Sequence, residues 1–272
     1  MTKVVSILNL KGGVAKTTLT VALADTFAIQ GKKVLVVDLD PQCDTSIMLI
    51  GHQKWEALHA AEKTLASYFI PGKKSFEFTR CVEHAVSDIT FGGKVIQNIS
   101  LLASDIRLAD VQDSVKDVKV MPGALTRLLR SVVGFDLILI DCPPNFGIFT
   151  RNAISASSSY IIPAIPDYLS FTLGAARTKR NVKRFKTPPK LAGIVITKYQ
   201  KGNSTQHMIA SSPNQLNAGL WDDVLHNYHM MQSVNFANAA FFNVQKRAYT
   251  AKYPDGLATT LKGLAMELWG RF

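Results

Sequence analysis

Lysine, glycine and threonine are spaced for phosphate chemistry in Asn9-Leu10-Lys11-Gly12-Gly13-Val14-Ala15-Lys16-Thr17-Thr18. Glycines expose backbone N–H groups, and a turn that converges them binds anionic oxygens. Lys16 has the reach to meet β and γ phosphates, and the Thr17 hydroxyl is an oxygen ligand suited to Mg²⁺. A second group of chemically capable residues is Asp38-Leu39-Asp40-Pro41-Gln42. A third is Asp141-Cys142-Pro143-Pro144. A carboxylate such as Asp141 can hold a Mg²⁺-bound water. The plain alternatives are a Gly-Gly turn for the first group and turn capping for the aspartates.

Each group follows an apolar run: Val4 to Leu8, Val34 to Val37 and Leu137 to Ile140. Unbroken apolar runs of this length read as parallel strands buried on both faces. Leu19 to Ala28 is helix-prone, so the first group lies in a strand, glycine turn and helix, the layout of a phosphate cradle. The helix adds its N-terminal partial positive charge to the cradle. Residues at the carboxyl ends of such strands line the ligand crevice of an open sheet. Ser159 to Pro166 and Leu191 to Lys198 read as further strands. Their alternation with helices predicts an α/β fold, a doubly wound, mostly parallel sheet with helices on both faces.

Between these signals the sequence is less regular. A helix is expected from Ser46 and another over Lys54 to Phe69, ending at Pro71-Gly72. Ser100 to Ser104 ends a strand, and Pro122 opens a helix through Leu125, Leu128 and Leu129. Phe171, Ala175, Thr178, Val182 and Phe185 recur at helical spacing and form one apolar stripe. Arg177, Lys179, Arg180, Lys183 and Arg184 fall on the other side, with Lys186 following. No acid occurs from Arg177 to Lys190. A face so poor in i,i+4 acidic partners suits phosphate-backbone binding, and its alternative is a solvated face. Lys201 to Asn217 turns polar, around Ser212-Pro213-Asn214. Lys246, Arg247 and Lys252 form a second basic cluster near Tyr249 and Tyr253 that extends the same surface or is ordinary surface charge. Leu257, Leu261, Leu264, Ala265 and Leu268 share one face of a last helix. That helix carries few cations for a membrane-seeking one, so packing on the domain is expected.

The strict phosphate-loop pattern G-x-x-x-x-G-K-[ST] fails here, because Leu10 and Ala15 stand at its two glycine positions. What remains, K-G-G-x-x-K-T-T, resembles the deviant phosphate loop of the ParA/MinD family of ATPases. D-x-D-P-Q at Asp38 to Gln42 and D-x-P-P at Asp141 to Pro144 match the family in order. The resemblance implies a P-loop NTPase fold over a single domain, residues 1–272. It also implies ATP and Mg²⁺ as cofactors, bound by Lys11, Gly12, Gly13, Val14, Ala15, Lys16, Thr17, Thr18 and Asp141. It assigns Asp40 to positioning the attacking water and supporting Mg²⁺, places Asp38 near the metal's outer shell, and brings Thr197 and Lys198 to the nucleotide base. Met230 to Asn235 corresponds dimly to the family's base loop, which makes Asn235 a further base contact. Lys11 is the family's signature lysine. It is expected to cross an ATP-dependent homodimer interface and contact the partner's phosphates, so that Lys11, Lys16 and Asp40 form the catalytic set.

Composition narrows the partner. Lys+Arg 31 against Asp+Glu 20 gives a net charge of +11, which favours polyanions, nucleic acid before anionic membrane. No run approaches the ~18–20 apolar residues of a membrane span. The chain enters a strand at once, with no signal-peptide pattern, and is expected to stay in the cytoplasm, associated with the nucleoid. Three scattered cysteines, Cys43, Cys81 and Cys142, make neither a disulfide framework nor a C-x-x-C metal pair. No room exists before Val4 for a helix-turn-helix, so site-specific operator binding is not expected. The reading is a partition ATPase that dimerises on ATP, binds nonspecific double-stranded DNA and positions a plasmid, chromosome or protein cargo. A ParB-like protein would stimulate its hydrolysis. The alternatives are a MinD-like membrane-associated regulator and a metabolic P-loop enzyme.

Overall fold

The computed structural model describes residues 1–70, 77–113, 123–200, 202–211 and 222–272. Its strands are β1 (Lys3–Ile7), β2 (Val34–Asp38), β3 (Val82–Glu83), β4 (Ile89–Phe91), β5 (Lys94–Val95), β6 (Ile99–Leu102), β7 (Leu137–Asp141), β8 (Ser159–Ala164), β9 (Lys190–Ile196) and β10 (Arg247–Ala248). Seven form the main sheet in the order β3-β6-β2-β7-β1-β8-β9. All neighbours run parallel except the short edge strand β3, which is antiparallel to β6. The expected α/β architecture, a mostly parallel sheet with helices on both faces, is present.

Successive strand side chains point to opposite faces, which is why both faces need apolar residues. In β2, Val34 and Val36 join one core, whereas Leu35 and Val37 join the other; Leu137 and Leu139 alternate with Ile138 and Ile140 in the same way. The first core is closed by helix α1 (Lys16–Ile29) and the last helix, Leu257–Arg271, through Leu19, Leu23, Phe27, Leu261, Leu264 and Leu268. The second is closed by helices over Ala124–Arg130, Ile148–Ala156 and the segment from Leu169 to Val182. The apolar face of the last helix is buried against α1 and β9.

Two expected helices differ in detail. The helix over Lys54 to Phe69 is broken into His52–Ala60 and Ala66–Phe69. Glu62 takes a left-handed φ of 56° at the break. There the Leu65 amide donates to the Ala103 carbonyl (2.9 Å) and the Thr64 hydroxyl to Asp105 (2.7 Å), bonds that pull the chain onto the end of β6. The stripe from Phe171 begins as a π-helical segment, Leu169–Ala175, and continues as an α-helix, Ala176–Val182. Phe171, Ala175, Thr178 and Val182 are all buried, as the spacing implies. The expected features at Pro71-Gly72, Pro122 and Ser212-Pro213-Asn214 lie outside the described residues.

A small sheet, β10-β4-β5, sits beside α1 and is joined to it by charges in the interior. Lys252 Nζ lies 2.8 Å from Asp25 Oδ2, on α1, and 2.7 Å from Asp88 Oδ1. The Tyr253 hydroxyl donates to Asp25 Oδ2 (2.7 Å) and Arg247 pairs with Asp88 Oδ2 (3.0 Å). Burial alone would lower the Lys252 pKa, but the two carboxylates outweigh it and raise it. Breaking such a pair leaves an uncompensated buried charge. Lys252→Met, which leaves Asp25 without its cation, is therefore expected to destabilise the protein by about 3–5 kcal/mol in urea unfolding. A change below about 1 kcal/mol would show that the network does not couple these elements.

Candidate functional site

The register of three adjacent strands builds the site. Ile7 of β1 is level with Asp141 of β7, and Asp141 is level with Asp38 of β2. One residue level therefore holds two aspartates and the entrance to the glycine turn, at the carboxyl ends of parallel strands. In the sheet order β7 lies between β1 and β2, and β8 lies on the far side of β1. The chain thus leaves β1 and β7 in opposite directions, which opens a crevice above them.

The turn is held by its neighbours. Asn9 donates through Nδ2 to the Pro163 carbonyl (2.8 Å) and accepts the Lys11 amide at Oδ1 (2.9 Å). The Leu10 amide donates to Thr178 Oγ1 (3.2 Å), and the Thr197 hydroxyl donates to the Val14 carbonyl (3.0 Å). Gly174 lets the π-helical segment lie on this turn. A Cβ there would sit 2.8 Å from Asn9 Oδ1 and 3.3 Å from Lys11 Cβ. Ala15, at the second motif glycine, adopts a left-handed φ of 61°, a conformation that costs an L-residue roughly 1–2 kcal/mol.

The first turn of α1 has no side-chain cap and no acidic residue. Its N–H groups are open to an anion. Lys16 is buried beside them; burial lowers its pKa, and Asp141 and Asp40 oppose that shift. Asp141 Oδ2 accepts the hydroxyls of Thr17 (2.8 Å) and Thr45 (2.6 Å). Asp141 Oδ1 is buried with no hydrogen-bond partner among the described residues. Burial raises the Asp141 pKa to about 6, against the pull of the Thr45 and Thr17 hydroxyls and Lys16. A buried carboxylate oxygen without a donor, beside a threonine hydroxyl, fits a water-clad Mg²⁺. Among the described residues no cage of three or more His, Cys, Asp or Glu exists. Mg²⁺ held by phosphates and waters needs none.

Asp38 and Asp40 divide the work. Asp38 is fully buried, and both its oxygens serve the chain: Oδ1 accepts the Asp40 amide (3.1 Å), and Oδ2 accepts the amide (2.9 Å) and hydroxyl (2.7 Å) of Ser46. Burial and the neighbouring Asp141 hold its pKa well above the ordinary value. Asp38 thus organises the loop, whereas the partly exposed Asp40 carboxylate has, among the described residues, only the Gln42 amide (3.1 Å) as a hydrogen-bond donor.

Lys11 leaves the turn on the opposite side from Lys16's pocket. Its ammonium lies 3.2 Å and 3.4 Å from the two Asp167 oxygens, both side chains about a third exposed. Tyr168, Leu169 and Leu173 are exposed beside it.

A cavity of about 270 Å³ opens beyond Ala15 and Thr18. Thr197, Lys198, Met230, Met231, Gln232 and Phe236 form much of its wall. Thr197 acts there mainly through the turn it holds. Asn235 is corrected by the structure: it does not line the cavity, and its Nδ2 donates to Asp255 (2.7 Å). Sequence reasoning missed Asn9, Thr45 and Ser46, and within Met230 to Asn235 it singled out Asn235 rather than Met230 and Met231. Thr45-Ser46 follow the D-x-D-P-Q segment directly, which was an available signal.

Arg177, Arg180, Lys183, Arg184 and Lys186 are exposed on the expected face, whereas Lys179 is ion-paired with Asp223. The second basic cluster is corrected. Lys246 donates to the Ser87 carbonyl, and Arg247 is engaged by Asp88 and the carbonyls of Ala239 and Phe241. Arg247 and the buried Lys252 are thus paired with carboxylates at the small sheet, whereas Lys246 keeps an exposed position.

Comparison with known proteins agrees with this geometry. A family model described as an AAA domain matches residues 2–192. The sporulation initiation inhibitor protein Soj of Bacillus subtilis is 31% identical over 203 residues, covering 72% of this chain and 73% of that protein. The chromosome-partitioning ATPase Soj of Treponema pallidum is 27% identical over 278 residues, covering 100% and 98%. The solved structure of a protein assigned to plasmid partition in Borrelia burgdorferi B31, bound to AMPPNP, superposes with a TM-score of 0.77 at 17% identity, over 100% of both chains.

Gly174→Ala tests the packing on the turn. Overpacking typically costs about 1–3 kcal/mol. A cost carried into the loop is expected to weaken nucleoside triphosphate binding by about tenfold, read by titration with a fluorescent analogue. Unchanged affinity would mean that the helix yields and the turn does not.

Proposed function

Because the chain belongs to the ParA-type partition ATPases, we propose that residues 1–272 act as one Mg²⁺-dependent ATPase domain whose ATP-bound form is a DNA-binding homodimer. The observation that carries this reading is the pair of lysines with separate surroundings on one turn. Lys16 is buried beside Asp141 and the open N–H groups of α1, where it meets the phosphates of its own nucleotide. Lys11 points outward and is engaged by Asp167 of its own chain. In the dimer it exchanges that carboxylate for the partner's phosphate oxygens, a stronger charge-assisted contact.

Thr17 and Asp141 would hold the metal, with Asp40 supporting it. Bound Mg²⁺ supplies electrostatic neutralisation of the phosphates. The amides of Gly12 to Thr18 and Lys16 fix the β and γ phosphates and stabilise the charge that develops on transfer. Asp40 orients the attacking water. The base occupies the cavity bounded by Lys198, Met230, Met231 and Phe236. The exposed cations Arg177, Arg180, Lys183, Arg184 and Lys186 bind phosphates of nonspecific double-stranded DNA, and dimerisation doubles their number. This places the protein in the cytoplasm on the nucleoid, with a ParB-like adaptor as the activator that releases it. DNA is favoured over a membrane surface because the apolar face of the last helix is already buried. Among the described residues no helix is long and apolar enough to cross a membrane.

Two experiments test the reading. Lys11→Ala is expected to abolish ATP-dependent dimerisation in light scattering while ATP binding persists; a dimer that still forms would remove the role in trans. Arg180→Glu with Lys183→Glu is expected to weaken DNA retention and to flatten the log affinity–log salt slope by about 2, at ~0.9 per lost phosphate contact. A slope that does not change would place the DNA elsewhere, and ATP-dependent pelleting with anionic liposomes in place of DNA would favour the membrane alternative.

A further inference from the structure

Ser104 lies two residues beyond the end of β6, as Asp40 lies two residues beyond the end of the adjacent strand β2. It is fully buried. Each of its polar groups is used. The amide donates to Ser46 Oγ (2.9 Å), the carbonyl accepts Trp55 Nε1 (3.1 Å), and the hydroxyl donates to the Asp40 carbonyl (2.6 Å). Ser46 is the residue that binds Asp38 Oδ2, so Ser104 touches the loop at two places.

The Asp40 loop is tight. The Cys43 amide closes it onto the Asp40 carbonyl (2.9 Å), and Cys43 is left-handed at φ 62°. Bonds inside a turn fix its shape but not its position. Position comes from the flanks. On the β7 side the Leu39 amide donates to the Asp141 carbonyl (3.0 Å). On the β6 side the Ser104 hydroxyl performs the same task at Asp40 itself. The Asp40 amide is held by Asp38, so both peptide groups flanking this carboxylate are clamped.

We propose that Ser104 is a positioning residue for hydrolysis: its hydroxyl anchors the Asp40 main chain to β6 and sets where the Asp40 carboxylate stands relative to the γ phosphate. This rests on the reading of Asp40 as the group that orients the attacking water. Displacements of about 1 Å in such a group can cost about 10²-fold in rate. Ser104 touches neither nucleotide nor metal directly, so its loss acts on turnover and not on binding.

Ser104→Ala removes one hydroxyl and orphans no buried acceptor, because the Asp40 carbonyl keeps the Cys43 amide. The fold is retained on that ground. Thr64→Ala is the control. Its hydroxyl is also buried and bonds to Asp105, next to Ser104, without reaching Asp40. The full-length protein is assayed for steady-state ATP turnover, for affinity towards a non-hydrolysable ATP analogue, and for urea stability. In Ser104→Ala kcat is expected to fall about tenfold or more with analogue affinity within about twofold of wild type. Thr64→Ala is expected to keep both within about twofold, whatever its stability. Wild-type turnover in Ser104→Ala, or turnover that tracks stability equally in both variants, overturns the positioning role alone. A wild-type protein that does not hydrolyse ATP overturns the ATPase reading and this inference with it.

Discussion

A carboxylate in the interior with one oxygen unpartnered is the constraint around which this protein is built. Asp141 is at the end of the central strand β7, with Lys16, Thr17 and Thr45 about it and nothing donating to Oδ1. Burial of an ionised group carries a desolvation cost of several kcal/mol unless charge and hydrogen bonds offset it. Here the offset is partial, which is why the pKa stays raised. The remaining deficit is met when a metal and phosphates arrive. The parallel register of β1, β7 and β2 is what makes this arrangement possible, since one residue of slip would turn Asp141 and Asp38 to other faces.

From that centre the loop divides into two electrostatic domains. Lys16 lies in a low-dielectric pocket among fixed charges, where a phosphate interaction is strong. Lys11 lies in a partly solvated position, where its pair with Asp167 is weak and exchangeable. Only four residues of loop, Gly12 to Ala15, separate the two lysines. Asn9 and Gly174 keep them apart, one by fixing the Lys11 amide, the other by letting a helix approach without a side chain in the way.

Much of this was legible in the sequence because it depends on order and local chemistry. Apolar runs ending in Asp38 and Asp141, a Gly-Gly turn before a helix, and the spacing from Phe171 to Val182 each state a local rule that the fold obeys. What was not legible depends on tertiary partners. Arg247 looks like a free cation in the chain, but Asp88, some 160 positions earlier, claims it. Lys179 is taken by Asp223 for the same reason. Met230 and Met231 come to line the cavity beyond Ala15 because a segment after β9 runs alongside that strand, bridging Tyr199 to Met231. No periodicity in the sequence encodes that pairing. Asn235, four residues beyond Met231, is turned by an aspartate twenty positions away.

The buried charges at Asp25, Asp88 and Lys252 carry an evolutionary consequence. Asp25 is on the helix that begins at the phosphate turn, and Lys252 follows the segment that lines the base cavity. Neutralising Lys252 alone strands the Asp25 carboxylate in the interior, whereas replacing the set together by apolar residues need not. Descendants of this chain are therefore confined to two solutions, the ionic set or an apolar one, with a fitness valley between them. A substitution at Lys252 must travel with one at Asp25, which ties the segment after the cavity wall to the helix that begins at the phosphate turn.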